Sequence, residues 1–125
     1  MVIDTSIFIE FLRKKDKTQT SFFKINDSDN LNLSVITLYE LLMGATNEQK
    51  LKDIKILIQN IKILPFDEEV AYQANSIYQS LKKKNKIIEF RDIFIAATCL
   101  VNNQKILTLN KKHFSRIDNL HFVEL

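Results

Sequence analysis

Apolar residues recur along this chain in two rhythms. Short apolar runs, Val2-Ile3, Ile63-Leu64 and Ile106-Leu107, and the stretch Leu31 to Ile36, which alternates and then turns apolar, have the length of strands, and between them apolar positions return at helical spacing. The first run stops at Asp4, and the pattern predicts a helix starting within the next two residues. Ile7, Phe8, Ile9, Phe11 and Leu12 make that helix apolar on most sides, so it should be largely buried; Arg13, Lys14 and Lys15 end it. A second short helix is expected over 18–26 with Phe22, Phe23 and Ile25 inward, then a loop over 26–30.

Residues 31–36 read as a strand. Thr37 opens a helix carrying Leu38, Leu41 and Leu42, which Gly44 ends. A helix over 48–60 and a third strand over 61–66 follow, Pro65 favouring a sheet edge. Asp67 caps the most regular helix, with Val70, Ala71, Ala74, Ile77, Tyr78 and Leu81 on one face. Ile93 to Val101 is an almost wholly apolar helix. Residues 106–109 and 121–125 are expected as fourth and fifth strands, with a turn or short helix from Lys111 to Arg116 between them. Strands alternating with helices predict an α/β fold, a three-layer α/β/α sandwich around a mostly parallel sheet of four or five strands. The whole chain, 1–125, is read as one domain.

Composition narrows the chemistry. One glycine leaves no G-x-G-x-x-G or Walker-type phosphate cradle. One cysteine, Cys99, lies in an apolar helical stretch and reads as a core residue. No apolar run reaches the ~18 residues of a membrane span, and Asp4 and Glu10 interrupt what a signal peptide would keep apolar. A cytoplasmic location is therefore expected. Net charge is +3; gathering acids in one cleft would leave a more basic exterior, suited to a polyanion.

Acids recur at one kind of place. In open α/β sheets the ligand cleft lies beyond the carboxyl ends of the strands, and Asp4 ends the first. Capping would equally explain Asp4, Thr5 or Ser6. Glu40 lies one turn into the helix after the second strand, where Thr37 to Glu40 also matches a capping box. Asp92 begins the apolar helix; a helix dipole favours an acid there, but burial without a cation or donor is costly. Asn110 ends the fourth strand, where Asn is an ordinary turn residue too. Together these predict an oxygen-rich pocket that would need a cation, and hard oxygen ligands select Mg²⁺ or Mn²⁺. His113 and His121 lack a His or Cys partner at zinc-ligand spacing.

Four stretches taken in this order resemble the PIN-domain ribonucleases, most closely the VapC-type toxins of bacterial toxin–antitoxin pairs. They are Val2-Ile3-Asp4-Thr5-Ser6, Ser34 to Gly44, Asp92 to Ala97 and Leu107 to Phe114. The resemblance spans essentially the whole chain. It implies a PIN fold and metal-dependent RNA cleavage, with Asp4, Glu40 and Asp92 matching the acidic triad. Asn110 stands at a fourth position that is acidic in many members. It further implies a homodimer and a co-encoded, VapB-like antitoxin, in a larger toxin–antitoxin complex, with no membrane partner. Thr5, Ser6 and Thr108 are candidates to tune the carboxylates or touch phosphate. Arg91 and Lys111, with Lys82, Lys83, Lys84, Lys86 and Lys112, are candidates to guide RNA, though the lysine run equally suits a solvated helix end. Two rivals stand beside this reading. One is an aspartyl-phosphate enzyme or receiver using Asp4, which lacks the expected accompanying acids. The other is a catalytically weak PIN-like module that binds RNA or protein.

Overall fold

The computed structural model describes residues 1–26 and 29–125. Four short strands, β1 (Val2–Ile3), β2 (Asn32–Ser34), β3 (Lys62–Leu64) and β4 (Ile106–Leu107), form one parallel sheet in the order β3-β2-β1-β4. Val2 pairs with Asn32 and Ile106, Ile3 with Leu107, and Ser34 with Leu64. Successive strand residues face opposite sides, and the core divides accordingly. Val2, Leu64 and Ile106 pack with α4 (Glu68–Lys83) and α5 (Phe90–Val101) on one face. Ile3, Leu33 and Leu107 pack with α1 (Thr5–Arg13), α2 (Val35–Met43) and α3 (Glu48–Ile58) on the other. The α6 helix (Lys111–Phe114) closes the β4 side, burying Phe114.

Local chemistry sets the helix ends. Asp67 caps α4 by accepting from the Val70 N–H at 3.0 Å, and Asn47 caps α3 through Lys50. In a chain with one glycine, asparagine takes the left-handed position after α4 and α5: Asn85 has φ 54° and Asn103 φ 52°. The next N–H then reaches back, Lys86 to the Leu81 carbonyl and Gln104 to that of Cys99, both at 2.9 Å. Cys99 is fully buried, and burial pushes its thiol up to about 12, as a core residue requires.

Several expectations are corrected. Residues 18–26 form two 3₁₀ turns, Lys17–Gln19 and Phe22–Lys24, not a helix, because side chains take backbone partners. The Asp16 carboxylate accepts from the Thr18 N–H and the Thr20 hydroxyl donates to the Lys17 carbonyl. Phe23 consequently points outward, 59% exposed. The α1 helix buries Ile7 and Phe8 but leaves Ile9 and Leu12 partly exposed, so its apolar girdle is covered on one side only. On α4, Ala71 stays exposed. The second strand ends at Ser34, and α2 starts at Val35, two residues before Thr37. The fifth strand reduces to a single parallel bridge between Ile106 and Phe122, since the chain leaves the sheet on either side of it. Strand β4 ends at Leu107, before the expected 109. The loop read over 26–30 includes Asp27 and Ser28, which lie outside the described residues. Pro65 follows β3, which does lie at the edge. Among the described residues no helix is long and apolar enough to cross a membrane.

The burial pattern separates two phenylalanines of equal size. Phe8→Ala should cost about 3–5 kcal/mol and Phe23→Ala no more than about 0.5 kcal/mol, measured as shifts in urea midpoint at unchanged slope.

Candidate active site

The parallel register puts Asp4, Ser34 and Thr108 at the carboxyl ends of β1, β2 and β4. Asp4 occupies the residue before α1 in extended conformation, yet its side chain makes no capping bond. Its Oδ2 instead accepts from the Ser6 hydroxyl and the Thr108 hydroxyl, each at 2.7 Å. Ser6 Oγ also accepts from the Leu109 N–H at 3.1 Å, and Thr108 Oγ1 from the Asn110 N–H at 2.9 Å. A web of hydroxyls thus fixes one oxygen of a carboxylate that is 5% exposed.

Glu40 is held from two sides. Ser34, not Thr37, caps α2: its hydroxyl accepts from the Thr37 N–H at 3.0 Å. With that cap in place the expected Thr37–Glu40 box does not form, and both side chains turn to the site. Thr5 Oγ1 donates to Glu40 Oε1 at 2.8 Å and is hydrogen-bonded to Thr37 Oγ1 at 3.0 Å. Arg91 Nη1 donates to Glu40 Oε2 at 2.8 Å. Both oxygens of Glu40 are therefore engaged.

Asp92 lies in the first turn of α5, 4% exposed. Among the described residues no hydrogen bond reaches its carboxylate; Arg91 Nε lies 3.8 Å from Oδ1 and the His113 ring Nδ1 3.7 Å from Oδ2. Burial raises its pKa, the charge of Asp4 raises it further, and Arg91 and His113 oppose the rise. Asp4 and Asp92 thus stand within each other's field.

Asn110 lies beyond Thr108, which is the residue that aligns with Asp4; its Nδ2 is 3.0 Å from His113 Nδ1. His113, set aside for want of a zinc-type partner, is the residue that sequence reasoning missed. The i, i+3 spacing from Asn110 across the start of α6 was its signal. Lys111 pairs with Glu124 at 3.4 Å and Lys84 with Asp118 at 3.1 Å, so both are engaged at the surface. A cavity of ≈ 430 Å³ opens beside Glu40, lined by Ile9, Leu12, Arg13, Leu41 and Lys50.

The donor set suits a hard divalent ion, since Asp4 Oδ1 and both oxygens of Asp92 accept no hydrogen bond from the described residues. As placed, however, no three of the described His, Cys, Asp and Glu residues are grouped tightly enough to enclose one. Arg91 stands between two of the acids, 2.8 Å from Glu40 Oε2 and 3.8 Å from Asp92 Oδ1.

Comparison with known proteins gives the family and agrees with the fold. The family described as PIN domain matches residues 1–120. A Ribonuclease VapC of Rickettsia bellii is 35% identical over 127 residues, covering 96% of this chain and 92% of that one. Ribonuclease VapC1 of Methanocaldococcus jannaschii is 28% identical, covering 94% and 80%. The solved structure of VapBC-1 from nontypeable Haemophilus influenzae superposes with a TM-score of 0.84 at 27% identity, covering 98% and 96%.

The raised pKa of Asp92 fixes a sign. Its charged form disfavours the fold, so its contribution is most favourable below the unfolded value of 3.8 and is lost as pH rises through the folded value. Metal-free Asp92→Asn should therefore melt above the wild type at pH 7, the gap closing toward pH 3.5, by calorimetric scans across that range.

Proposed function

The chain belongs to the PIN-domain family, and from that premise we propose that it is a divalent-metal-dependent, VapC-type endoribonuclease. Asp92 carries the reading: a buried carboxylate, placed in the field of a second one, that accepts no hydrogen bond from the described residues. Such a group is unfavourable in a purely structural role and suited to hold a cation. Asp4 and Asp92 are the proposed direct metal ligands, joined by Glu40 once its Oε2 is free. Asn110 spends its amide nitrogen on His113 and keeps its oxygen for the fourth position.

Mg²⁺ or Mn²⁺, when bound, supplies charge neutralisation at the phosphate and an acidified water. The chain does the positioning. Ser6 and Thr108 hold Asp4 by Oδ2 and leave Oδ1 for the ion. Thr5 holds Glu40 by Oε1. These hydroxyls fix two acids before substrate arrives, so little reorganisation is left for the reaction. Thr5 and Ser6 also lie next to Asp4, where a phosphate would approach. Arg91, at the rim, and Lys111 offer cations to the RNA backbone.

A similar solved structure, 25% identical, is of a member of the VapBC family of toxin–antitoxin systems from Mycobacterium tuberculosis. By analogy a VapB-like antitoxin is the proposed partner, and the cavity beside Glu40, walled by the exposed apolar face of α1, is where its chain would be received. A homodimer within a larger assembly, and one domain over 1–125, complete the proposal.

Incubated with RNA, the protein should cleave internally in Mg²⁺ or Mn²⁺ and stop on chelation. Asp4→Asn and Asp92→Asn should each lower the rate by about a hundredfold or more. Equal cleavage by Asp92→Asn would end its assignment, and RNA binding without cutting would favour the non-catalytic module.

A further inference from the structure

The Arg91 guanidinium reaches three carboxylates at once. Nη1 lies 2.8 Å from Glu40 Oε2, and Nε lies 3.2 Å from Glu89 Oε2 and 3.8 Å from Asp92 Oδ1. No other lysine or arginine among the described residues forms an ion pair with Glu40, Asp92 or Asp4. The partners differ in freedom. Glu40 is 12% exposed and tied to Thr5, whereas the Arg91 side chain is 54% exposed at the start of α5. Glu40 is held in the wall, and Arg91 can leave for solvent without uncovering the core.

We propose that Arg91 is the resident counter-ion of the pocket, competing with a divalent metal for Glu40 Oε2 and leaving that oxygen when the metal binds. The inference rests on the metal-site reading above and deepens it. Glu40 Oε1 takes the Thr5 hydroxyl, which fixes the side chain, and Arg91 sits on Oε2. A guanidinium and a divalent ion on that one oxygen would repel each other, so the two compete for it. Without a cation the pocket would hold Asp4, Glu40 and Asp92 together against their repulsion; the guanidinium supplies positive charge in the interim. Once released, its planar fork lies at the rim, where it matches a phosphate's oxygens better than an ammonium does.

The test is Mn²⁺ binding by titration calorimetry at fixed ionic strength, alongside melting of the metal-free proteins. Arg91→Gln should bind Mn²⁺ about three- to tenfold more tightly than wild type, as expected for deleting a partly exposed ion pair that competes for the site. It should also melt lower without metal and gain more from Mn²⁺. Arg91→Lys, which keeps the charge and loses the fork, should fall between. Equal or weaker binding by Arg91→Gln overturns the proposal, because a residue that merely props Glu40 in place would loosen the site when removed. In that event, wild-type binding abolished by Asp4→Asn would leave the metal site standing. Absence of Mn²⁺ binding in wild type and Arg91→Gln alike would remove both readings.

Discussion

Two carboxylates buried in each other's field, Asp4 and Asp92, are the constraint around which this molecule is arranged. Each could be stable at the tip of a strand or the start of a helix. Together they raise the energy of the charged pocket, and burial increases the effect. The surrounding groups answer that problem. Hydroxyls from Ser6 and Thr108 satisfy one oxygen of Asp4, while Arg91 and His113 stand just beyond hydrogen-bond distance from Asp92. The fold holds the pair in place through the apolar residues on both sides of the sheet: Ile3 below Asp4 and Ile93 beside Asp92 are both fully or almost fully buried. Stability is given up locally at the site and recovered in the core.

The parallel register makes the arrangement possible. Because every strand runs the same way, all carboxyl ends meet at one edge, and the row after the last ladder residues contains Asp4 and Thr108 side by side. An antiparallel sheet would send alternate strand ends to opposite edges. The helices that follow β1 and β2 then begin at that edge. This is why Thr5 from α1 and Glu40 from α2, 35 residues apart, can share a hydrogen bond.

How much of this was legible depended on whether a feature is local. The apolar runs located all four strands and the order of strand and helix, because a buried strand and an amphipathic helix each write their own period. Asp67 was legible as a cap because capping is settled within one turn. Thr37 and Glu40 show where the same logic misleads. Their spacing satisfies a capping box, but Ser34 stands three residues earlier and takes the cap, leaving them free for partners far along the chain. The short elements misread for a related reason. Residues 18–26 have helical spacing, yet Asp16 and Thr20 offer the backbone closer partners than the next turn would. The place of Arg91 had no signal beyond adjacency to Asp92, since its partner Glu40 lies 51 residues away.

Asn110 gains a physical account from His113. The pocket already holds Asp4 and Asp92, both buried, and a carboxylate at 110 would add another negative charge. An amide carries both a donor and an acceptor. Its nitrogen lies 3.0 Å from His113 Nδ1, and its oxygen stays available to the pocket. The contact holds the ring near Asp92, its Nδ1 3.7 Å from Oδ2. Asp92 therefore has the His113 ring beside Oδ2 and Arg91 beside Oδ1. Substituting an amide for an acid removes one charge from the crowded pocket while preserving the contact that places the ring.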